Sequence, residues 1–547
     1  MHDICLAGSA SLQHEWQALV VAGRSLDMML ALSVVLSPLL APVFLWAYRR
    51  RVIRYMNLQQ PGPAGVVQPQ APAETARAPA PKESLQALSP FVAARYRRVR
   101  FATWAAYAVF CVGALVLAVF TAPDGGGGLW QLPLATAFLA LGPALVNLRP
   151  QASPQVRAAF VLGALGIAVI VAADPVYWGN ATGDYMINNT ADTVLGALMT
   201  FALCAMCMHR KVRTQLLPTA LALWWGFSTC VVVTATLEAN ACAAPFAAEV
   251  GWRIPGLVAL YVTIWLMLRL GTGSLSLLGW LFQRGWVSDL SISALTGIAM
   301  IATLLCLQVL PGSNAHVGVA LAWTAACVLG YGAALRLGKA DGPAPRLLVL
   351  RVFNSGAVAE QVLDDVQQRW RLAGPVLQIG GPDLAGINVD LFEFSRLLGG
   401  RLHEIFVVTV PGFDELQRRL DVDHDSEGRF RVSEVFCIGT AWAGTVAHLI
   451  EMADAILLDL RGFAPERKGT LREIEMLAAR AAFGRVVMLA DERTDLVLAR
   501  RLFTATPASG KTNEPAQVVT LASKGHNSAA AHRIWDALLA VTEGSHC

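Results

Sequence analysis

The sequence predicts two folds in one chain: a polytopic α-helical membrane domain of about nine spans, then a C-terminal doubly wound α/β domain with a mainly parallel sheet. Three observations predict it. Of 547 residues, 55% are hydrophobic and 15% charged, where a water-soluble globule carries roughly a quarter charged residues, so a wholly soluble protein is excluded. The charge is divided: residues 1–342 hold 21 Lys/Arg and 13 Asp/Glu, a net of +8, and 343–547 hold 22 and 26, a net of −4. Near residue 343 the apolar runs also shorten from about twenty residues to five or six, a change from spanning helices to strands.

Taken in order, residues 1–25 read as an extracytoplasmic N-terminus without a cleavable signal, since Asp3, His14 and Glu15 interrupt it and the first apolar run ends in YRRR. The transmembrane domain covers 26–342. Nine segments are long and apolar enough to cross a bilayer: about 26–47, 102–122, 130–148, 157–173, 191–208, 215–236, 254–271, 291–311 and 315–336. A shorter run, SLSLLGWLFQ at 274–283, reads as an interfacial helix or tight connector. With the N-terminus outside, nineteen Lys/Arg fall in inner loops and only Arg24 and Arg253 outside, which places the chain in the inner (plasma) membrane with its C-terminal domain in the cytoplasm. Residues 58–90 are rich in Pro, Ala and Gln and predict a disordered cytoplasmic loop. Its basic flanks, YRRRVIR and ARYRRVR, either set topology or hold anionic headgroups.

The spans hold no ionisable residue away from their ends, which disfavours an ion-coupled or proton-coupled transporter. Cys204 and Cys207 make a C-x-x-C inside an apolar run, where packing outweighs redox or metal chemistry. The outer loop DPVYWGNATGDYMINNTAD is either a polar ligand lip or a simple connector.

Residues 343–547 alternate short apolar runs with amphipathic stretches, the signature of parallel strands and crossover helices. Strands are expected at 346–353, 375–380, 404–410, 453–460, 485–490 and 516–521, and helices at 356–372, near 390–401, 441–452, 468–482, 493–503 and 527–541. An irregular insertion of about sixty residues follows the second strand. The functional edge of such a domain lies at the carboxyl ends of its strands.

The stretch VSEVFCIGTAWAGTVAHLIEMADAILLDLRGFAPERKGTLREIEML resembles a block found in bacterial multi-span membrane proteins of unassigned function. In order and length the domain is also similar to Toll/interleukin-1 receptor (TIR) domains. That resemblance implies a cytoplasmic signalling module with NAD or another nucleotide as ligand, and it puts Glu473 where enzymatic TIR domains carry the glutamate beside the nicotinamide ribose. Leu471 and Arg472 depart from the small or aromatic residues usual there, so the resemblance leaves NAD cleavage open. The ordinary alternative is a carboxylate favouring the helix dipole.

Ligand contacts are expected from Arg351 and Asn354 at the end of the first strand, Asp459 and Arg461 at the end of ADAILLDLRG, and Gly469 and Thr470 at the following helix start. Arg351 and Asp459 form either a buried ion pair or part of a phosphate contact. GKT at 510–512 precedes a strand and lacks the first P-loop glycine. DVDHDSEGRFRV at 421–432 has Ser426 and Val432 where a calcium loop needs Gly and Glu, so no metal is expected. The reading is a membrane-anchored signalling or nucleotide-responsive protein whose partners are the lipid bilayer and a small nucleotide ligand, with no nucleic acid. An NAD-cleaving enzyme using Glu473 and a transporter with a regulatory domain are the alternatives, and self-association through the membrane or TIR-like domain is open.

Overall fold

A computed structural model describes residues 39–56, 253–288, 314–336, 344–351, 357–381, 391–426, 428–438, 441–480, 482–504, 517–521 and 528–544, with scattered positions between them. The chain divides into two compact units that interleave along the sequence. The first comprises Met1–Ala47, Ala102–Arg336 and Gly386–Arg401; the second comprises Tyr48–Phe101, Leu337–Ala385 and Leu402–Cys547.

In the first unit, α1 runs unbroken over Arg253–Gln283 and α2 over Asn314–Arg336. The run at 274–283, expected as a separate interfacial piece, is the last third of α1. The nine-span expectation is corrected: among the described residues one helical stretch, Ile264–Gln283, is long and apolar enough to cross a membrane. The expected spans at 130–148, 157–173 and 191–208, and most of those at 102–122, 215–236 and 291–311, lie outside the described residues. Hydropathy counts apolar residues and does not count helices, so it divided one helix in two and supplied no evidence for the remainder. Along α1, Tyr261, Trp265, Leu270, Leu277 and Trp280 are exposed, and the guanidinium groups of Arg269 and Arg284 stand over the rings of Trp265 and Trp280 at 5.4 and 4.9 Å.

The second unit is a seven-stranded, wholly parallel sheet in the order β3-β4-β2-β1-β5-β6-β7. Its strands are β1 (Leu347–Arg351), β2 (Val376–Gly380), β3 (Phe406–Val407), β4 (Val432–Cys437), β5 (Ala455–Asp459), β6 (Val486–Ala490) and β7 (Gln517–Thr520). β1, β2, β5 and β6 are buried along their whole length, as strands covered on both faces must be. Helices α3 (Ala357–Trp370) and α9 (Ser528–Gly544) cover one face through Val362, Val366, Trp370, Ile534 and Leu538. Helices α6 (Ala441–Met452), α7 (Lys468–Ala479) and α8 (Leu496–Thr504) cover the other through Val446, Leu449, Ile474, Leu477 and Phe503.

Two departures from the sequence reading matter. The expected strand at 404–410 shrinks to two residues after a 3-10 turn, and β4, read as loop, is a full strand paired to β2. Of the insertion, α5 (Phe413–Arg419) stays with the sheet, but α4 (Leu391–Leu398) belongs to the first unit. There Phe392 packs against the buried pair Phe282 and Ile292, as do Leu278 and Val287, and Phe394 meets Phe44 edge-on at 5.6 Å. In the second unit Arg95, from the basic flank ARYRRVR, is buried with its guanidinium 4.5 Å above the Phe430 ring. That arginine is a packing residue.

Candidate functional site

The carboxyl edge is organised by one feature of the topology. β1 and β5 lie side by side in register from Leu347↔Ala455 to Arg351↔Asp459. The helix after β1 covers one face of the sheet and the helix after β5 covers the other, so the chain diverges between these two strands. Such a switch point leaves a crevice outside the strand ends, where open α/β sheets take their ligands.

Arg351 and Asp459 are neighbours at that point, and both are buried. Asp459 takes a local partner. Nε of Arg461 donates to Oδ1 of Asp459 at 2.8 Å and Nη2 donates to Oδ2 at 2.6 Å, while the Arg461 backbone N–H also reaches Oδ1 at 3.1 Å. The chain turns as soon as β5 ends, and this brings a residue two positions on back over the carboxylate; a planar guanidinium fork then engages both oxygens. Asn354 lies outside the described residues.

A second carboxylate fixes the turn. Gly462 has φ 67°, a conformation open to glycine without strain, and its N–H donates to Oδ1 of Asp491 at 3.0 Å. The same carboxylate accepts from the Arg493 N–H and the Thr494 hydroxyl, and Thr494 also reaches the Leu460 carbonyl. Burial alone would raise the Asp491 pKa, but the Gly462 N–H, the Thr494 hydroxyl and Arg493 together hold it below the usual carboxylate value. Asp491 was missed at the sequence level. Its signal is an Asp followed three residues later by Thr, directly after an apolar strand run, a pattern that closes side chain-to-backbone turns.

Glu473 lies on α7, which covers the other face of the sheet. On α7, Thr470, Glu473, Ile474 and Leu477 share the buried side, and Gly469 is exposed with open space beside it. Glu473 is only 2% exposed, and its Oε2 is sealed from solvent with no hydrogen-bond partner among the described residues. Burial pushes its pKa from 4.5 up to about 8, so the group is protonated at neutral pH. Side chains on a helix lean towards its N-terminus, which here faces the strand carboxyl ends. A helix-dipole role requires an ionised carboxylate in the first turn, and Glu473 is protonated and lies in the second.

The structure thus brings Arg351, Asp459 and Arg461 together at the ends of β1 and β5, and buries Thr470 and Glu473 on the side of α7 that carries Ile474 and Leu477. A neutral carboxyl group can donate a hydrogen bond to a hydroxyl or carbonyl, and the amide groups of the α7 start can receive an anion. Elsewhere, DVDHDSEGRFRV folds as a hairpin bridged at His424↔Phe430, with Asp421 held by Arg431 at 2.7 Å and Asp425 accepting from the Arg429 N–H. Among the described residues no group of three metal-ligating side chains forms. GKT and the C-x-x-C lie outside the described residues. Comparison with family models, curated proteins and solved structures gives no match for the chain.

Proposed function

We propose that this chain is a membrane-anchored, nucleotide-responsive protein whose α/β unit receives a ribose- or phosphate-bearing small molecule at the carboxyl edge between β1 and β5. The observation that carries the reading is Glu473: a buried carboxyl on the helix that follows β5, with an oxygen that has no hydrogen-bond partner among the described residues. Leaving a buried polar atom without a partner costs about 1–3 kcal/mol, a cost that a ligand hydroxyl arriving at that atom removes. Arg351 and the Arg461–Asp459 pair stand at the ends of the two strands. The likeness of the strand–helix order to TIR domains supports the same ligand class, and the apolar α1 supports the anchor.

The test is a thermal-unfolding screen of the full chain against NAD, ADP-ribose, ATP and cyclic nucleotides, because a ligand that binds only the folded state raises apparent stability. At least one of these should raise the midpoint, and Glu473→Gln should weaken that response. A screen in which no nucleotide shifts the midpoint overturns the reading.

NAD cleavage is the second reading, favoured by the same buried carboxyl. An ionised Glu473 is what would stabilise a developing oxocarbenium centre. Turnover should therefore rise with pH through about 8 as the carboxylate forms, and it should vanish in Glu473→Gln.

A further inference from the structure

We infer that two segments from the N-terminal part of the chain, which complete one face of the α/β unit, give that face a basic surface that holds the anionic headgroups of a bilayer through Arg49, Arg54, Arg97 and Arg98. The inference rests on the membrane anchoring proposed above. Residues 48–101 belong to the α/β unit, and their inward contacts all fall on β3, β4 and the start of β4. By alternation along β2 and β4, Gly380 and Phe436 lie on the sheet face that carries Val376 and Val432, the face of α3 and α9. The Phe436 ring occupies the space where a Gly380 side chain would begin, and it meets Phe406 at 5.8 Å. Tyr55 extends this stack onto Phe406 at 5.5 Å, and Val52 and Tyr48, on the same side of the helical stretch 48–56, are buried. Arg95 is buried over Phe430, six residues before Phe436 and therefore within about 20 Å of it along the extended chain.

With those side chains turned inward, Arg49, Arg54, Arg97 and Arg98 are exposed, and none of the four has an ion pair among the described residues. Arg50 and Arg51 are exposed beside them but already interact within the protein. No Asp or Glu occurs in 28–73 or in 84–102, so nearby acidic residues in sequence do not offset this charge. Lipid is the occupant that the flanking sequence selects. Residues 28–48, directly before Arg49, carry no charged side chain, and Leu39, Val43 and Trp46 among them are exposed. A charge-free run that gives way at once to arginine marks a membrane–water boundary, and the anionic leaflet attracts basic segments at that depth. The stretch 343–547 carries a net charge of −4, so an anionic surface draws this basic face towards it and repels the remainder, which orients the unit.

The full chain is reconstituted into nanodiscs of phosphatidylcholine, with or without phosphatidylglycerol, and thermal unfolding is followed at low and high salt. Phosphatidylglycerol should raise the midpoint at low salt, and high salt should remove the rise, because exposed charges are screened. Inorganic phosphate added to the phosphatidylcholine discs should not reproduce it. Arg49→Gln/Arg54→Gln/Arg97→Gln/Arg98→Gln should abolish the rise, and the corresponding quadruple Lys variant should retain most of it, since a surface potential reads charge. A wild-type midpoint indifferent to phosphatidylglycerol, a rise that survives high salt or the quadruple Gln variant, or an equal rise with phosphate alone overturns the headgroup surface. The salt arm uses the wild-type chain and stands whether or not the Gln variant folds. Alkaline extraction of membranes containing the full chain separates the two levels. Release into the supernatant overturns the anchoring itself, whereas retention with a midpoint indifferent to phosphatidylglycerol overturns the headgroup surface alone.

Discussion

Asp459 at the end of β5 and Glu473 in the second turn of α7 are both withdrawn from water, and the two regions treat the acid in opposite ways. Asp459 is wholly buried and spans its two oxygens with the Arg461 fork. Glu473 is buried to nearly the same degree with an oxygen that has no partner. A buried charge must be paired, hydrogen-bonded or neutralised, and the chain uses pairing in one place and protonation in the other. The paired site is closed by its own residues, while the protonated one retains unused hydrogen-bonding capacity. Burial alone is thus a poor guide to function; the difference in partners is what distinguishes a structural acid from a candidate site.

The comparison can be broken most forcefully at Asp459. Asp459→Ala leaves the Arg461 guanidinium buried without its carboxylate, and loss of one partner of such a pair costs about 3–5 kcal/mol. Denaturant unfolding should show this loss, with much of it recovered in Asp459→Ala/Arg461→Ala; a loss below about 1 kcal/mol would place the pair among the weak ones. Asp491→Ala removes the acceptor for the Gly462 N–H and should cost about 2–3 kcal/mol, again read in denaturant.

Glu473 should behave in the opposite sense. Its folded pKa is raised, so the folded chain binds a proton that the unfolded chain has lost between about 4.5 and about 8. The stability it contributes is full below 4.5 and declines as pH rises to about 8, at about 1.4 kcal/mol per pH unit. Glu473→Gln should flatten that slope and match the wild type at low pH, as unfolding midpoints measured from pH 4 to 9 would reveal. The smallest effect is at Gly469: exposed, helical and with room for a side chain, it should gain about 0.5–1 kcal/mol as alanine. Should Gly469→Ala stabilise the chain while weakening nucleotide binding, the glycine serves ligand approach at the α7 start.

Much of the α/β unit was legible from its apolar runs. The stretches around Leu347–Arg351, Ala455–Asp459 and Val486–Ala490 are uninterrupted, as strands buried on both faces must be, and they carry the register that sets Arg351 beside Asp459. β4 was not legible because Ser433 and Glu434 break its run; Glu434 is tolerated there because Gln378 donates to it at 2.8 Å across the sheet. The Arg461 fork on Asp459 was not legible because the sharp turn that brings a residue two positions on back over the carboxylate has no periodicity to announce it. The departure of α4 from the sheet has no signature beyond its amphipathic pattern, which does not say what its apolar side will meet. The nine expected spans were read from hydropathy, which registers a preference for apolar surroundings and does not count helices; among the described residues one helical stretch passes the test of length and composition.

The interleaving of the two units also imposes an order on biosynthesis. Tyr55 and Arg95 belong to the α/β unit, where they meet Phe406 and Phe430, yet more than two hundred residues of the other unit are made before the first strand. At 5–20 residues per second, Arg95 leaves the ribosome roughly 15–70 s before its ring partner exists. During that interval the segment carrying it has no native surface to cover, and the growing chain must keep it available while the intervening helices are placed. A fragment beginning near residue 343 never receives it, so the α/β unit is complete only as a product of the whole chain.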